Sequence, residues 1–255
     1  MTLSLIGIGL TANQISVEAL QEIKSCQQIF LEAYTSKFAS GSIKEFEKLI
    51  GKKITLLYRN EVENQLTDLL SKAKKQKIAL LVYGNSLSAT THSEILIQAK
   101  KMKIQTKIFL GISVFDAISL TGLSQYSFGK TISIPFWQPN FKPESFYDKI
   151  KINFENGFHS LVLLDLKPDE NKFMTTKQAL EMLNSIQQKR NENWLSNANL
   201  ICCAGLSSEK QQIKFGKLAD LQKIELKQFP QCLVVCAKLS EKEIEFLQTF
   251  YKSKK

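Results

Sequence analysis

The sequence predicts an α/β protein with two α/β domains, and the order of its apolar and amphipathic segments carries that prediction. Short apolar runs alternate with segments of helical periodicity through the first half of the chain. Repeated β–α units are typical of a mainly parallel sheet with helices on both faces. The second half has more strands and alternates less regularly. We therefore expect an N-terminal α/β domain with a mainly parallel sheet over residues 1–111 and a C-terminal α/β domain with a mixed sheet over residues 112–255.

The first half opens with a strand, and strand and helix then follow one another in turn. Ser16 is a good N-cap residue for the first helix, and Gly51 stands where a helix can end. Expected strands cover residues 3–8, 28–33, 54–58, 78–82 and 104–110, and expected helices cover residues 17–25, 42–50, 62–75, 91–101 and 114–123.

The second half begins with an irregular connection. Pro135, Pro139 and Pro143 surround Phe136 and Trp137, a composition typical of a loop. Beyond that loop, helices are expected over residues 144–156, 175–188 and 241–251, and strands over residues 160–166, 199–203, 211–215 and 232–235.

The turn after the fourth expected strand is the most informative segment for function. The apolar run ends at Gly84-Asn85-Ser86, and Thr90-Thr91-His92 then opens a helical pattern. Ligands of open α/β sheets bind just outside the carboxyl ends of the strands, where this turn lies. The turn is therefore a candidate cofactor pocket.

Composition limits the function classes. The formal net charge of +10 could indicate an acidic or nucleic-acid-associated partner. The lysines are scattered along the sequence, however, which favours the alternative that they are ordinary solvated surface residues. No RNA-binding signature with interleaved aromatic residues occurs, so direct nucleic-acid binding is not expected. No apolar run approaches the ~20 residues that span a bilayer, and the start of the chain lacks the features of a signal peptide. We expect a cytoplasmic protein that does not enter membranes.

The cysteines and histidines do not predict a metal site. The five cysteines form no CxxC spacing and are expected to be reduced core thiols. His92 and His159 lie far apart in the sequence and lack ligand spacing. His92 lacks a local nucleophile and carboxylate, so a cap or polar contact at its helix is the favoured role.

Two other signals have ordinary structural explanations. Gly7-Ile8-Gly9 follows the first strand but lacks the third glycine of a dinucleotide-binding fingerprint, so a tight turn is favoured. Asp165 ends an apolar run, as a site carboxylate can, although it can equally cap the turn into Lys167-Pro168.

Several segments taken in order are similar to one family. They are Ile6-Gly7-Ile8-Gly9-Leu10, Leu31-Glu32-Ala33-Tyr34-Thr35-Ser36, Gly84-x-x-Leu87-x-Ala89-Thr90-Thr91-His92, Thr121-Gly122-Leu123, Phe128-Gly129-Lys130, Pro143-Glu144-Ser145-Phe146-Tyr147-Asp148 and Leu163-Leu164-Asp165-Leu166-Lys167. These segments resemble the diphthine synthases, called diphthine methyl ester synthases in eukaryotes, which have a tetrapyrrole-methylase-like fold. The resemblance runs from residue 1 to about residue 250, and its Glu-Ala-Tyr-Thr-Ser and Ala-Thr-Thr-His blocks are the specific ones.

The resemblance implies a fold, a cofactor and a set of site residues. It implies two α/β domains with S-adenosylmethionine folded in the cleft between them, and a homodimer. Carried over residue by residue, the cofactor-binding positions are Leu10, Asn85, Ser88, Ser113, Val114, Leu166, Leu206 and Gln231. The leucines and the valine can wall the adenine or the thioether, and the polar residues can bind the ribose, the amino-acid end or the adenine edge. No catalytic residue is assigned, and no metal is implied.

The resemblance also implies a substrate. The substrate of the family is translation elongation factor 2 in which one histidine carries a 3-amino-3-carboxypropyl group. The enzymes methylate the amino nitrogen of that group repeatedly. Eukaryotic members are held to methylate the carboxylate as well. Because the sulfonium already activates the methyl group, the protein mainly aligns nucleophile and leaving group, and no general base is demanded.

Three positions depart from the family pattern. Asn85-Ser86 stands where the family usually has Asp-Pro, which removes a charge-assisted hydrogen bond of roughly 1.5–3 kcal/mol. Gln231 replaces a frequent histidine, and Ala204-Gly205-Leu206-Ser207 replaces Ala-Arg-x-Gly. Two alternatives therefore stay open: a non-catalytic or weakly active relative that binds elongation factor 2 or the ribosome, and a methylase of another substrate.

Overall fold

The protein divides into two compact units in a computed structural model that describes residues 1–59, 61 and 66–251. The first unit comprises Met1–Ala117 with the short segments Lys167–Asn171 and Ser207–Glu209. The second comprises Ile118–Leu166, Lys172–Leu206 and Lys210–Lys255. The expected boundary lay between residues 111 and 112, whereas the first unit continues to Ala117.

The first unit alternates strands and helices. Its strands are β1 (Thr2–Gly7), β2 (Gln28–Glu32), β3 (Thr55–Leu57), β4 (Ile78–Val82) and β5 (Gln105–Phe109). Its helices are α1 (Val17–Ser25), α2 (Ile43–Ile50), α3 (Leu66–Lys75), α4 (Ser93–Lys101) and α5 (Val114–Ala117). The strands form a parallel sheet in the order β3-β2-β4-β1-β5.

The central strands of this sheet are buried on both faces. In β4, Ile78, Leu80 and Val82 belong to one hydrophobic cluster, and Ala79 and Leu81 belong to another. Successive side chains of a strand point to opposite faces, so both clusters pack on the same sheet. This arrangement explains the continuous apolar run in the sequence.

The second unit contains a mixed sheet. Its strands are β6 (Ile132–Ile134), β7 (Ser160–Leu164), β8 (Leu166–Lys167, of which Lys167 belongs to the first unit), β9 (Lys172–Phe173), β10 (Asn199–Ala204), β11 (Gln212–Gly216) and β12 (Gln231–Cys236). Its helices are α6 (Ser145–Glu155), α7 (Thr176–Lys189), α8 (Trp194–Asn197), α9 (Leu218–Leu221) and α10 (Glu241–Phe250). The sheet order is β11-β10-β12-β7-β6, with antiparallel pairs except for β6 beside β7.

Local sequence signals explain several helix boundaries. Ser16 caps α1 by accepting from the backbone N–H of Ala19, and Ser42 forms a reciprocal capping box with Glu45 at α2. Gly51 ends α2 at a φ of 72°, a left-handed conformation that glycine adopts without strain.

The structure differs from the expected elements in a few places. The helix expected over residues 114–123 is α5 followed by a 3₁₀ turn, Ile118–Thr121, because the Thr121 hydroxyl binds the Ile118 carbonyl and Gly122 turns left-handed at φ 75°. The strand β6 was missed because it has only three residues at the edge of its sheet. Part of the expected helix 62–75 lies outside the described residues, and its described part begins at Leu66.

Candidate functional site

Three loops meet at the carboxyl edge of the first sheet. They follow β1, β4 and β5, which are adjacent and parallel, so their carboxyl ends lie side by side. Gly9 and Gly84 exchange two backbone hydrogen bonds of 3.1 and 2.9 Å, which joins the first loop to the second.

Glycines make this junction close enough to form. A Cβ atom at Gly111 would lie 2.2 Å from the Gly84 carbonyl oxygen and 2.6 Å from the Gly7 carbonyl carbon. A Cβ atom at Gly7 would lie 2.6 Å from the same Gly84 oxygen. Since all of these atoms belong to the backbone, no side-chain movement can make room. The tight turn favoured for Gly7-Ile8-Gly9 is thus confirmed, with Gly9 at a φ of 77°.

The turn after β4 carries Asn85 and Ser88. The Asn85 side-chain Oδ1 atom accepts a hydrogen bond from the backbone N–H of Leu87 at 3.0 Å. The backbone carbonyl of Asn85 accepts one from the backbone N–H of Ser88 at 3.2 Å. Both side chains are partly exposed. Among the described residues, neither the Asn85 Nδ2 atom nor the Ser88 hydroxyl has a hydrogen-bond partner. These two groups are therefore free to bind a ligand.

The loop after β5 brings Ser113 and Val114 beside the same turn. The Ser113 hydroxyl and backbone N–H both donate to Asp116 Oδ2, at 2.8 and 2.7 Å, as Ser113 leads into α5. A Cβ atom at Gly84 would lie 3.8 Å from the Ser113 Cα atom and 3.9 Å from Leu10 Cδ2. The structure thus brings Leu10 and Ser113 together at the Gly84 turn. The Ser113 side chain is engaged in shaping the loop.

The remaining site residues from the sequence lie in the second unit. Leu166 belongs to β8, and Leu206 is buried just after β10. The Gln231 Oε1 atom accepts from the Thr176 backbone and hydroxyl at 2.8 and 3.2 Å, and its Nε2 atom donates to the Leu226 and Gln228 carbonyls at 3.0 Å each. The side-chain polar atoms of Gln231 are therefore engaged within its own unit.

A buried histidine–glutamate pair lies behind the turn and was not foreseen. Glu32 ends β2, the neighbour of β4, and its Oε2 atom lies 3.7 Å from His92 Nε2. The His92 Nδ1 atom is 3.0 Å from the Ser86 carbonyl oxygen, and the side chain makes no helix cap. The polar contact expected for His92 is thus confirmed, although its carboxylate comes from a strand 60 residues away in sequence. Only the adjacency of β2 and β4 could have revealed the pair.

Other groups around the pair are also buried. The Ser86 hydroxyl is fully buried and has no hydrogen-bond partner among the described residues. Burial, with a smaller contribution from the Glu32 charge, raises the pKa of Tyr83 to about 12. The Tyr83 phenol is therefore protonated at neutral pH and cannot act as a base there.

A second buried pair, between His159 and Glu243, lies within the second unit. The His159 Nδ1 atom accepts from the Ala237 backbone N–H at 3.0 Å, and the Nε2 atom lies 3.4 Å from Glu243 Oε1. Burial lowers the pKa of His159 below its ordinary value of 6.5. Burial raises the pKa of Glu243, but the Ser124 and Ser240 backbone N–H groups and other contacts outweigh it and hold the pKa below 4.5.

Asp165 and the cysteines serve the fold. Asp165 Oδ2 accepts from the Phe136 backbone N–H at 3.0 Å, so this carboxylate fastens the proline-rich loop and not the turn at Lys167. All five cysteines are buried and free, which confirms the expected core thiols. Burial raises the pKa of Cys202 to about 12, which keeps this thiol unreactive.

Comparisons with known proteins identify the family. The family model for tetrapyrrole (corrin/porphyrin) methylases matches residues 2–222. A diphthine synthase of Methanococcus vannielii is 35% identical, with 98% of this chain and 99% of that protein covered. A diphthine methyl ester synthase of Yarrowia lipolytica is 36% identical, with 97% and 89% covered.

A solved structure extends the likeness to the fold. A crystal structure of diphthine synthase superposes with a TM-score of 0.90 and 30% identity, covering 99% of this chain and 97% of that one. The α/β fold class predicted from the sequence is thereby confirmed. No helix in the described part of the chain has the length and apolar character that crossing a membrane requires.

The resemblance that the sequence motifs indicated is also confirmed. The family model matches most of the chain, and the relatives match it over nearly their full length. This chain is a methyltransferase that belongs to the tetrapyrrole methylase family and, within it, to the diphthine synthases.

Proposed function

We propose that this chain binds S-adenosylmethionine at the carboxyl edge of the first sheet and methylates the modified histidine of translation elongation factor 2. The observation that carries the proposal is the three-loop junction at Gly84, where Asn85 Nδ2 and the Ser88 hydroxyl have no partner in the described part of the chain. The match to diphthine synthases supports the substrate.

The residues at the junction fit the methyl donor. Leu10 and Val114 supply apolar side chains, as an adenine or thioether requires. Asn85 and Ser88 supply donors that can bind ribose oxygens or a carboxylate. We assign Leu10, Asn85, Ser88, Ser113 and Val114 to this part of the site. Leu166, Leu206 and Gln231 complete the proposed set, with Gln231 acting through its fixed position because its side chain is already bonded.

The chain's own part in the reaction is binding and alignment. S-adenosylmethionine supplies a methyl group that its sulfonium already activates. Asn85 and Ser88 orient the donor, and the apolar walls exclude water from it. The nucleophile is the amino nitrogen of the substrate, whose proton passes to solvent. No side chain of this protein is needed as a base in that step.

The partner, the assembly and the location are part of the same proposal. The substrate is a side chain on a large protein, namely elongation factor 2 with its 3-amino-3-carboxypropyl group. The enzyme acts as a homodimer in the cytoplasm, with the net charge of +10 favouring encounter with acidic or RNA-associated surfaces of its partner.

A second candidate is a weakly active or non-catalytic relative that binds elongation factor 2. The neutral Asn85 favours it, because the Oδ1 atom already accepts from Leu87 and the residue brings no charge to a ligand. Such a protein would bind elongation factor 2 without transferring methyl groups.

Methyl transfer from labelled S-adenosylmethionine decides between the two. The acceptor is elongation factor 2 that carries the 3-amino-3-carboxypropyl group, and unmodified elongation factor 2 is the control. We expect mass increments of whole methyl groups on the modified histidine alone, and their loss when Asn85→Ala and Ser88→Ala are combined. Binding of the factor without any methyl transfer would overturn the proposal in favour of the second candidate.

A further inference from the structure

The Glu32–His92 pair is fully enclosed in the first unit. Glu32 is 0% exposed and His92 is 2% exposed. Glu32 Oε1 accepts from the backbone N–H groups of Tyr34 and Thr35 at 2.8 and 2.7 Å, and Oε2 bonds with the Thr35 hydroxyl. These donors fix the carboxylate at the end of β2. A buried charge is tolerated when it is held in this way and faces an opposite partner.

The hydrogen bond to Ser86 assigns one proton of the His92 ring. A backbone carbonyl can only accept, so His92 Nδ1 must carry the hydrogen that binds the Ser86 oxygen. The other ring nitrogen would then present a lone pair to the carboxylate 3.7 Å away. Nε2 therefore faces Glu32 Oε2 across a buried contact.

The pair acts on the turn through one atom. The Ser86 carbonyl oxygen accepts both from His92 Nδ1 at 3.0 Å and from the Thr90 hydroxyl at 2.8 Å. Ser86 lies between Asn85 and Ser88, the residues with free donors. Fixing the Ser86 carbonyl therefore fixes the peptide planes that direct those donors. The buried Ser86 hydroxyl, which has no partner among the described residues, adds nothing to hold the turn.

We propose that Glu32 and His92 are positioning residues that hold the Asn85–Thr90 turn in the conformation that binds the methyl donor. The proposal rests on the methyltransferase function proposed above and assigns the two residues no chemical step. A turn that spends part of its time in other conformations binds more weakly in proportion to the fraction that is competent. The pair therefore governs the affinity for the donor and leaves the rate of transfer unchanged once the donor is bound.

Conservative variants separate the contacts of the pair. Glu32→Gln removes the charge but keeps an oxygen for the backbone N–H groups of Tyr34 and Thr35. His92→Asn keeps a donor near the place of Nδ1 and has nothing at the place of Nε2, whereas His92→Leu removes both. Glu243→Gln and His159→Asn make the same changes in the buried pair of the second unit and serve as matched controls.

Calorimetric titration with S-adenosylhomocysteine measures the affinity of each variant. We expect Glu32→Gln and His92→Leu to raise Kd about tenfold, as when the competent fraction falls to about a tenth. His92→Asn should raise Kd about as much as Glu32→Gln does, because it also removes the contact between the two side chains. Glu32→Gln should add little in the His92→Asn background, because the link between the two side chains is already gone. Both control variants should leave Kd within about twofold of the wild type.

Steady-state kinetics and nuclear magnetic resonance give two readouts that a merely structural role would not move. In Glu32→Gln, KM for the donor should rise while kcat stays the same. The backbone amides of Leu87 and Ser88 both donate hydrogen bonds to Asn85. Their resonances should shift in Glu32→Gln and stay in place in Glu243→Gln.

The outcomes distinguish this proposal from the function on which it rests. If the wild type binds and the Glu32 and His92 variants lose thermal stability with unchanged Kd, the pair is merely structural and the proposal is overturned. If the wild type binds neither S-adenosylmethionine nor S-adenosylhomocysteine, the proposed function is overturned. The Leu87 and Ser88 amides then decide the positioning alone, and resonances that do not move would overturn it as well.

Discussion

His92 in the first unit donates from Nδ1 to a carbonyl, whereas His159 in the second accepts at Nδ1 from a backbone N–H. Each histidine also faces one buried glutamate, at 3.7 Å for Glu32 and 3.4 Å for Glu243. Accepting at Nδ1 requires that nitrogen to carry no proton, so the neutral ring of His159 donates from Nε2 to Glu243. The two histidines thus use Nδ1 in opposite senses, one as a donor and the other as an acceptor.

The surroundings of the two pairs differ as well. Glu243 belongs to the capping box of α10 and accepts from the backbone of Ser124, so its pair ties a helix start to a distant loop. The Glu32–His92 pair instead fastens a turn whose side chains retain free donors. We conclude that burial of a titratable pair does not by itself indicate a functional site. The two pairs differ in their neighbours: in the described residues, the turn beside the Glu32–His92 pair carries hydrogen-bond donors without a protein partner.

The largest effect is expected from Glu243→Ala. Removing this carboxylate leaves the buried His159 Nε2 atom without its acceptor and breaks the bonds from the backbone N–H groups of Ser124 and Ser240. The free energy of unfolding should fall by about 3 kcal/mol, because a hydrogen bond to a charged group contributes roughly 1.5–3 kcal/mol. The Kd for S-adenosylhomocysteine should be unchanged. Both tryptophans, Trp137 and Trp194, lie in this unit, so tryptophan fluorescence during urea unfolding reports on it directly.

Glu241→Ala, at an exposed residue in the first turn of the same helix, is the control. It should cost about 0.3–1 kcal/mol through the helix dipole. Equal losses in the two variants would show that the buried contacts of Glu243 contribute nothing of their own.

The next largest effect is expected from Asn85→Asp, and on binding. A carboxylate at the turn can accept charge-assisted hydrogen bonds from S-adenosylmethionine, and each such bond contributes roughly 1.5–3 kcal/mol. Titration calorimetry should show affinity for S-adenosylmethionine improved at least about tenfold. Asn191→Asp makes the same charge change at an exposed position of the second unit and should leave binding unchanged. Equal improvement in both variants would attribute the effect to long-range charge and contradict the place assigned to Asn85.

A smaller effect of opposite sign separates two serines. Ser86→Ala removes a buried hydroxyl for which the described residues offer no partner, and it should stabilise the protein by about 1 kcal/mol. Ser240→Ala removes the N-cap of α10 and should destabilise it by about 1 kcal/mol. Thermal unfolding followed by circular dichroism gives both signs. A destabilising Ser86→Ala would mean that the hydroxyl has an acceptor, such as an ordered water molecule.

The smallest effect is the pH dependence that the second pair contributes. The pKa values of His159 and Glu243 both lie below their ordinary values of 6.5 and 4.5, so the unfolded chain takes up protons first as the pH falls. This part of the stability is complete above about pH 6.5 and is lost as the pH falls through the lower folded-state values. His159→Asn should flatten the upper part of that decline in urea unfolding at a series of pH values. An unchanged slope would show that His159 does not contribute to it.

The sequence predicted the regular elements well where local signals are strong. Ser16 and the apolar spacing that follows define α1 from Val17 to Ser25, and the apolar run of β4 ends at Val82 as expected. The short edge strand β6 and the 3₁₀ turn after α5 were not predicted, because segments of three or four residues are too short to show a hydrophobic periodicity.

The sequence indicated the turn of the proposed site but not the buried residues that contact this turn. Gly84-Asn85-Ser86 could be placed at the end of a strand from sequence alone. The contact of Glu32 with His92 depends on β2 lying beside β4, and strand order is a tertiary property that no local pattern encodes. Similarly, the hydrogen bonds that engage Gln231 come from residues up to 55 positions away in sequence.

Titration calorimetry of the purified chain with S-adenosylmethionine, and then with S-adenosylhomocysteine, tests the central claim most directly. We predict binding of both at one site per chain with a Kd in the micromolar range, about −8 kcal/mol. We also predict that combining Asn85→Ala with Ser88→Ala abolishes it. Absence of binding at millimolar ligand, or full binding in that double variant, would contradict the assignment of the methyl donor to the Gly84 junction.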